Sequence, residues 1–552
     1  MNGSAANVNR GQANIVGAKR GTLSLVIEEA YLLMGVMAIA FVSHTYNMFN
    51  YPLYLGDEGI YMEQAWSVLT DGKLSPYTYF YDHAPVGWFL LAWWGLLLPG
   101  KLLAFGMAIN SGRVLMAVLH VASTFFLYRT TKKLSGSDMA SVAASIVFSL
   151  SPMALFYQRM VLLDNIMVFW ILLALYLIVV HGDRVLTLIG SGFAFSMALL
   201  TKENAIFFAP VFAYIIYSNL KGKYQFRFSA VGWMFTMLAI VSLYPIYALL
   251  KSELLPSTLQ GLGSSQSPGE RVSLIGTVIW QMGRSQGSIL DPNSLFWEFS
   301  LRRWWPKDSF LVAIGFASVL VALLLGLHER KHRKGLLYAS LLSLAYIFYM
   351  ARGSVMLEFY VVPLLPFLAM TIGMMMARIF QLFPGRLIQT SVFTIALFAI
   401  VYGSVQASRD HYTLNLTQVQ HNQLQYIREN IPPDAIMIVD DDLWVDLHDG
   451  GKNYPSYPNA HSHWKVTGDP EIRDKLLKND WRNVDYVIVS NKLPETLQIN
   501  GEKLVQDAIA NSTLMARFEK GDVAVEVRRV NKPGRTPPAQ TPQRGTTPQR
   551  NR

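Results

Sequence analysis

The chain reads as a mainly α protein: a polytopic helical membrane domain followed by a small α/β domain outside the membrane. Three observations predict this. Of 552 residues, 52% are hydrophobic and only 15% charged, whereas soluble domains carry about 25% charge. Eleven apolar runs approach or reach the ~20 residues that a membrane-spanning helix needs. After residue 405 the composition changes, and residues 406–530 hold 19 of the 37 acids and 14 of the 47 bases.

The runs lie at 22–43, 111–129, 138–157, 162–181, 185–201, 204–219, 229–250, 309–328, 335–350, 357–380 and 387–405. The first is too long for a cleaved signal and lacks a small-residue cleavage site, so it reads as a retained span. Placing residues 1–21, with Lys19 and Arg20, in the cytoplasm fixes the rest. The inner loops are then Arg129–Lys133, His181–Arg184, Lys221–Arg227, His328–Lys334 and Arg378–Arg386, and each contains Arg or Lys. The first outer loop is acidic, with Asp57, Glu58, Glu63, Asp71 and Asp82 against Lys73 and Lys101. Eleven spans with the N-terminus inside and the C-terminal domain outside satisfy this alternation. An extra span at 87–105 would invert it. That segment, GWFLLAWWGLLLPGKLLAF, is Trp-rich and broken at Pro99-Gly100-Lys101, and is expected to lie in the interface.

Two long outer loops, 44–110 and 251–308, interrupt the membrane region 22–405. In residues 406–530, DAIMIVDDD and NVDYVIVSN predict buried strands, while LTQVQHNQLQYIREN and DPEIRDKLLKND predict amphipathic helices. Residues 531–552, rich in Pro, Gln, Thr and Arg, predict a disordered basic tail. The net charge of +10 suggests a polyanion. The tails, however, contribute 8 of those charges, through Arg10, Lys19, Arg20, Lys532, Arg535, Arg544, Arg550 and Arg552. Anionic membrane lipids rather than nucleic acid are therefore the expected partners. There is no Cys, no GxGxxG and no P-loop, and no nucleotide or redox cofactor is expected.

The chemistry-bearing candidates share one level. Asp57 and Glu58 follow the first span. His83 precedes the interfacial segment. Arg159 and Asp164 flank the third and fourth spans. Lys202 follows the fifth, and Arg352 and Tyr360 stand at the outer end of the tenth. Ionisable groups at membrane depth are costly and point to function. The carboxylates would serve as base or metal ligands, and the Arg and Lys side chains would hold a phosphate. Asp440-Asp441-Asp442, with Asp446, His448 and Asp449, reads as a polar turn after a strand, with a cation site as the alternative.

These motifs together resemble the GT-C glycosyltransferases, in particular the protein O-mannosyltransferase and 4-amino-arabinose lipid A transferase families. The carriers are GDEGIY, DHAPVGWFLLAWW, SGR, QRMVLLDN, LLTKENA and EFYVVPLLP, spread over most of 22–405. The resemblance implies a polyprenyl-phosphate sugar as donor and a lipid, glycan or protein as acceptor. It implies Asp57 as catalytic base, with Glu58 and Asp164 beside it, and Arg159, Lys202, Arg352 and Tyr360 at the donor phosphate. It also implies a divalent metal ion at His83, shared with Glu58. The sequence departs from the family at His83-Ala84-Pro85-Val86, where relatives commonly carry two consecutive prolines. A transporter or flippase for an anionic amphiphile is the rival reading, since intramembrane charges suit it as well.

Overall fold

Every one of the eleven apolar runs is helical in its described part. The computed structural model describes residues 28–182, 184–256, 272–283, 287–328, 334–353, 356–490, 493, 502–532 and 543–544. The expected tails 1–21 and 531–552 lie almost wholly outside these, as does the Gly/Ser-rich part of loop 251–308. Seven helices are long and apolar enough to cross a membrane: Ala108–Ser135, Leu163–His181, Phe226–Leu250, Ser309–His328, Lys334–Ala351, Glu358–Phe380 and Arg386–Ala407. The run 138–157 breaks at Ser151-Pro152, giving helices Asp138–Leu150 and Pro152–Tyr157, with the Ser151 hydroxyl capping the second through Ala154 N. The break is what Pro at a first helical position favours.

A buried cluster including Leu172, Phe195, Phe212, Tyr346 and Leu368 joins these helices. Close approach depends on small residues, as membrane helix packing favours. A Cβ on Gly373 would lie 2.5 Å from the Ala140 carbonyl oxygen. Phe226–Leu250 and Arg386–Ala407 keep most of their side chains exposed, as lipid-facing helices do.

The ambiguous segment forms helix Val86–Leu97 and a 3₁₀ turn, Lys101–Leu103. Its inner face buries Trp88, Leu91 and Ala92, while Phe89, Trp93, Leu96 and Leu97 are exposed. An apolar outer face on a short, one-side-packed helix is the arrangement expected of an element lying in the interface.

The C-terminal part is a mixed six-stranded sheet, β1 (Met437–Val439), β2 (Ala460–Ser462), β3 (Tyr486–Ser490), β4 (Ser512–Lys520), β5 (Val523–Val530) and β6 (Gln543–Arg544), in the order β2-β1-β3-β5-β4-β6. β1 runs parallel to β2 and β3, and β5 antiparallel to β3 and β4. The two strands read from the sequence are β1 and β3. Helix Gln418–Asn430 is also present, but DPEIRDKLLKND forms only a short π-type helix, Glu471–Leu476. This domain does not stand apart. Tyr61, Met62, Trp88 and Leu91 of the first outer loop share one buried cluster with Leu424, Met437, Trp444 and Val527.

Candidate active site

Helix Gly56–Thr70 opens the site, with Asp57 and Glu58 in its first turn. Their fates differ. Glu58 is fully buried and grips Arg113 with both oxygens, at 2.9 Å (Nε) and 2.8 Å (Nη2). The same oxygens accept Val161 N at 2.9 Å and Leu55 N at 3.0 Å. Arg113 in turn donates to the carbonyls of Met48 and Pro52 and lies over the Tyr54 ring. Four donors saturate the carboxylate, so Glu58 fastens the first loop to the bundle. The expectation that it acts in catalysis or binds metal is corrected on this ground.

Asp57 makes no hydrogen bond to another side chain among the described residues. Burial pushes its pKa up to about 6, Lys202 and His83 pull it down, and Asp441 and Asp164 push it up. A carboxylate tuned toward neutrality suits proton transfer.

Lys202 follows helix Val185–Leu199 and is buried. Its Nζ donates to Asp164 Oδ2 at 2.5 Å and sits 4.2 Å from the Tyr360 ring centroid. Asp164 is fully buried, and its Oδ1 has no hydrogen-bond partner among the described residues. One of the three Lys donors is thus spent. Arg352 ends helix Lys334–Ala351, stacks on Tyr349 with its guanidinium carbon 3.9 Å from the centroid, and donates to the Tyr349 carbonyl.

Lys202, Arg352, Tyr360 and His83 all line one cavity of about 660 Å³. Its other walls divide by chemistry. Ile206, Phe207, Leu274, Val278 and Met282 are apolar, while Tyr81, Asp82, Glu203 and Tyr244 are polar. A pair of cations beside an apolar wall is complementary to an anionic amphiphile. Asp57 is not among the residues that line this cavity, but Lys202 and His83, which do line it, both act on its charge.

Two further expectations change. Arg159 does not join the cavity. It is buried elsewhere, donating to the carbonyls of Ser43 at 2.5 Å and His411 at 2.9 Å, and so ties the first helix to the start of the C-terminal region. His83 does not meet Glu58. Its Nδ1 is 3.0 Å from Glu203 Oε2, and Glu203 Oε1 accepts Ala84 N at 2.8 Å. Among the described residues no group of three or more His, Asp or Glu side chains is placed to hold a metal ion. With Glu58 saturated as well, the residues present do not fit the expected divalent cation. Asp440–Asp442 and Asp446 belong to the start of a buried helix, Asp441–Asp449, rather than to an open turn.

Sequence reasoning left Glu203 and Tyr244 without a role. The signal for Glu203 was its place beside Lys202 in LLTKENA. Tyr244, in the apolar run Phe226–Leu250, gave none, yet its hydroxyl meets Tyr79 at 2.8 Å and the His83 carbonyl at 3.1 Å.

Residues 82–247 match the family model described as dolichyl-phosphate-mannose-protein mannosyltransferase. No curated protein matches the sequence significantly. In structure the chain is similar to ArnT from Cupriavidus metallidurans bound to undecaprenyl phosphate, with a TM-score of 0.55 at 14% identity, covering 90% of this chain and 97% of that one. It is also similar to the oligosaccharyltransferase of Archaeoglobus fulgidus (TM-score 0.54, 10% identity, 88% and 73% covered). The archaeal AglB, in complex with an inhibitory peptide and a dolichol-phosphate, scores 0.51 at 12% identity, with 88% and 72% covered. The fold expected from the sequence is thus shared with these structures, and seven helices among the described residues are long and apolar enough for the multi-pass arrangement the sequence predicts.

Proposed function

We propose that the chain is a glycosyltransferase that moves a sugar from a polyprenyl-phosphate donor to an acceptor hydroxyl on the extracytoplasmic face. The observation that carries this reading is the joint presence of Lys202 and Arg352 on one cavity with an apolar wall. The shared fold with enzymes whose structures hold undecaprenyl phosphate or dolichol-phosphate supports it.

In this reading Lys202 and Arg352 hold the donor phosphate, and Asp164 and Tyr360 keep the Lys202 ammonium in place. The acceptor oxygen attacks the anomeric carbon from the face opposite the phosphate. Its proton passes to Asp57, the carbon–oxygen bond to the phosphate breaks, and the lipid leaves as its monophosphate. Direct displacement inverts the anomeric centre. Charge growing on the leaving phosphate meets fixed cations in a low-dielectric site, where such stabilisation is strong. Residues 1–21 then lie in the cytoplasm, 22–405 form the catalytic membrane domain and 406–530 stand outside, in agreement with the loop charges.

The test is transfer from a radiolabelled polyprenyl-phosphate sugar by the protein in detergent. Release of the sugar with free lipid phosphate is expected. Binding without release, in a preparation that has no gradient to drive transport, would sink the reading and favour the transporter.

A further inference from the structure

The sequence motif GDEG places Gly56 and Gly59 three residues apart, hence on one face of the helix that carries Asp57. That face is occupied by the C-terminal domain. A Cβ on Gly59 would lie 2.1 Å from the Asp441 carbonyl oxygen and 2.5 Å from Asp442 N, so two backbones are in contact there. A Cβ on Gly56 would lie 3.5 Å from Asp441 Oδ2, which puts that carboxylate over the residue next to Asp57. Asp441 is itself buried, and its Oδ1 is fixed by Trp464 Nε1 at 2.9 Å.

We propose that Asp441, supplied by the C-terminal domain, is a positioning residue of the transfer site that keeps Asp57 basic enough to accept the acceptor proton. The proposal rests on the reading of Asp57 as the base. Two carboxylates in a buried site disfavour each other's ionisation and so raise each other's proton affinity. The groups facing Asp57 are Lys202 and His83, which favour its charged form, and Asp441 and Asp164, which oppose it. Those facing Asp441 are His463 and Lys465, which favour its charge. Asp440, Asp442 and Glu63 crowd it with further acid. Burial, the largest influence, persists without Asp441, but the push of that neighbouring carboxylate against Lys202 and His83 is lost, which leaves Asp57 a weaker base, and Brønsted behaviour converts a weaker base into a slower transfer. The Gly56–Gly59 face is then the joint through which the outer domain reaches the chemistry.

The experiment is the pH dependence of turnover in Asp441→Asn, with donor affinity measured alongside. Asparagine keeps the shape and still accepts the Trp464 hydrogen bond, so the fold should survive. The acidic limb should move to lower pH by about half a pH unit or more. Turnover at pH 8 should fall several-fold, with the Kd for the polyprenyl phosphate unchanged. Asp441→Glu, which retains the charge, should restore the limb. A folded Asp441→Asn protein with limb and turnover like those of the wild type overturns the proposal. If thermal unfolding shows that this variant does not fold, Asp441→Ser reads the same quantity by removing the carboxylate with a smaller polar side chain; a limb left in place overturns the proposal there too. Normal turnover in Asp57→Asn would instead remove the base reading itself. A dead Asp57→Asn with an unmoved Asp441→Asn limb defeats the present inference alone.

Discussion

Two buried ion pairs, Arg113–Glu58 and Lys202–Asp164, are built to opposite ends. In the first, four donors saturate the carboxylate and the guanidinium binds three loop carbonyls besides, those of Met48, Pro52 and Leu53. Nothing is left over for a ligand. In the second, among the described residues, one carboxylate oxygen has no partner and the ammonium uses one donor, and the lysine forms part of a cavity wall. Burial and charge are alike in both pairs; residual hydrogen-bonding capacity separates scaffold from chemistry.

The sharpest way to break this contrast is beside it, at Asp57. Asp57→Asn should lower kcat by about 10²–10⁴-fold while a polyprenyl phosphate still binds, as measured by single-turnover kinetics and equilibrium binding. Next in size is Glu58→Ala, which strands the buried Arg113 charge. Thermal or denaturant unfolding in detergent should show a loss of about 3–5 kcal/mol, and any folded fraction should keep its donor affinity. Lys202→Ala should behave the other way round. Donor affinity should fall by about 1.5–3 kcal/mol, roughly 10–100-fold in Kd, and a calorimetric titration with polyprenyl phosphate would detect it. Unchanged donor affinity in Lys202→Ala would dissolve the contrast.

The smallest expected effect concerns pH. Asp57 titrates near 6 in the folded protein, above its ordinary value of 3.8. Its folded form therefore holds the proton more tightly than its unfolded form, and its contribution to stability falls as pH rises from about 4 to about 6. Asp57→Asn should accordingly be more stable than the wild type at pH 8, by about 1–3 kcal/mol, and no different at pH 4. The transfer rate of the wild type should rise through pH 6 as the base ionises.

The fold was legible because lipid imposes long apolar runs and loop charge imposes their order. Of the residues read at one level, Lys202, Arg352, Tyr360 and His83 do meet on one cavity. What the sequence does not carry is azimuth, the side of the bundle to which a residue at a given depth belongs. Arg159, expected at the same level, is held elsewhere by the carbonyls of Ser43 and His411. Glu58 was misread because adjacency to Asp57 hides that neighbours on a helix project about 100° apart. Asp441 and Asp57 are 384 positions apart, and no pattern within either segment announces that they meet.

The buried cluster shared by the first outer loop and the C-terminal domain also sets a problem of timing. Tyr61, Trp88 and Leu91 share that cluster with Leu424, Trp444 and Val527. Those last three are synthesised some three hundred residues later or more. At about 5–20 residues per second the first loop waits on the order of 15–60 seconds for its cover. Through that interval this apolar face lacks the residues that complete its burial in the finished fold.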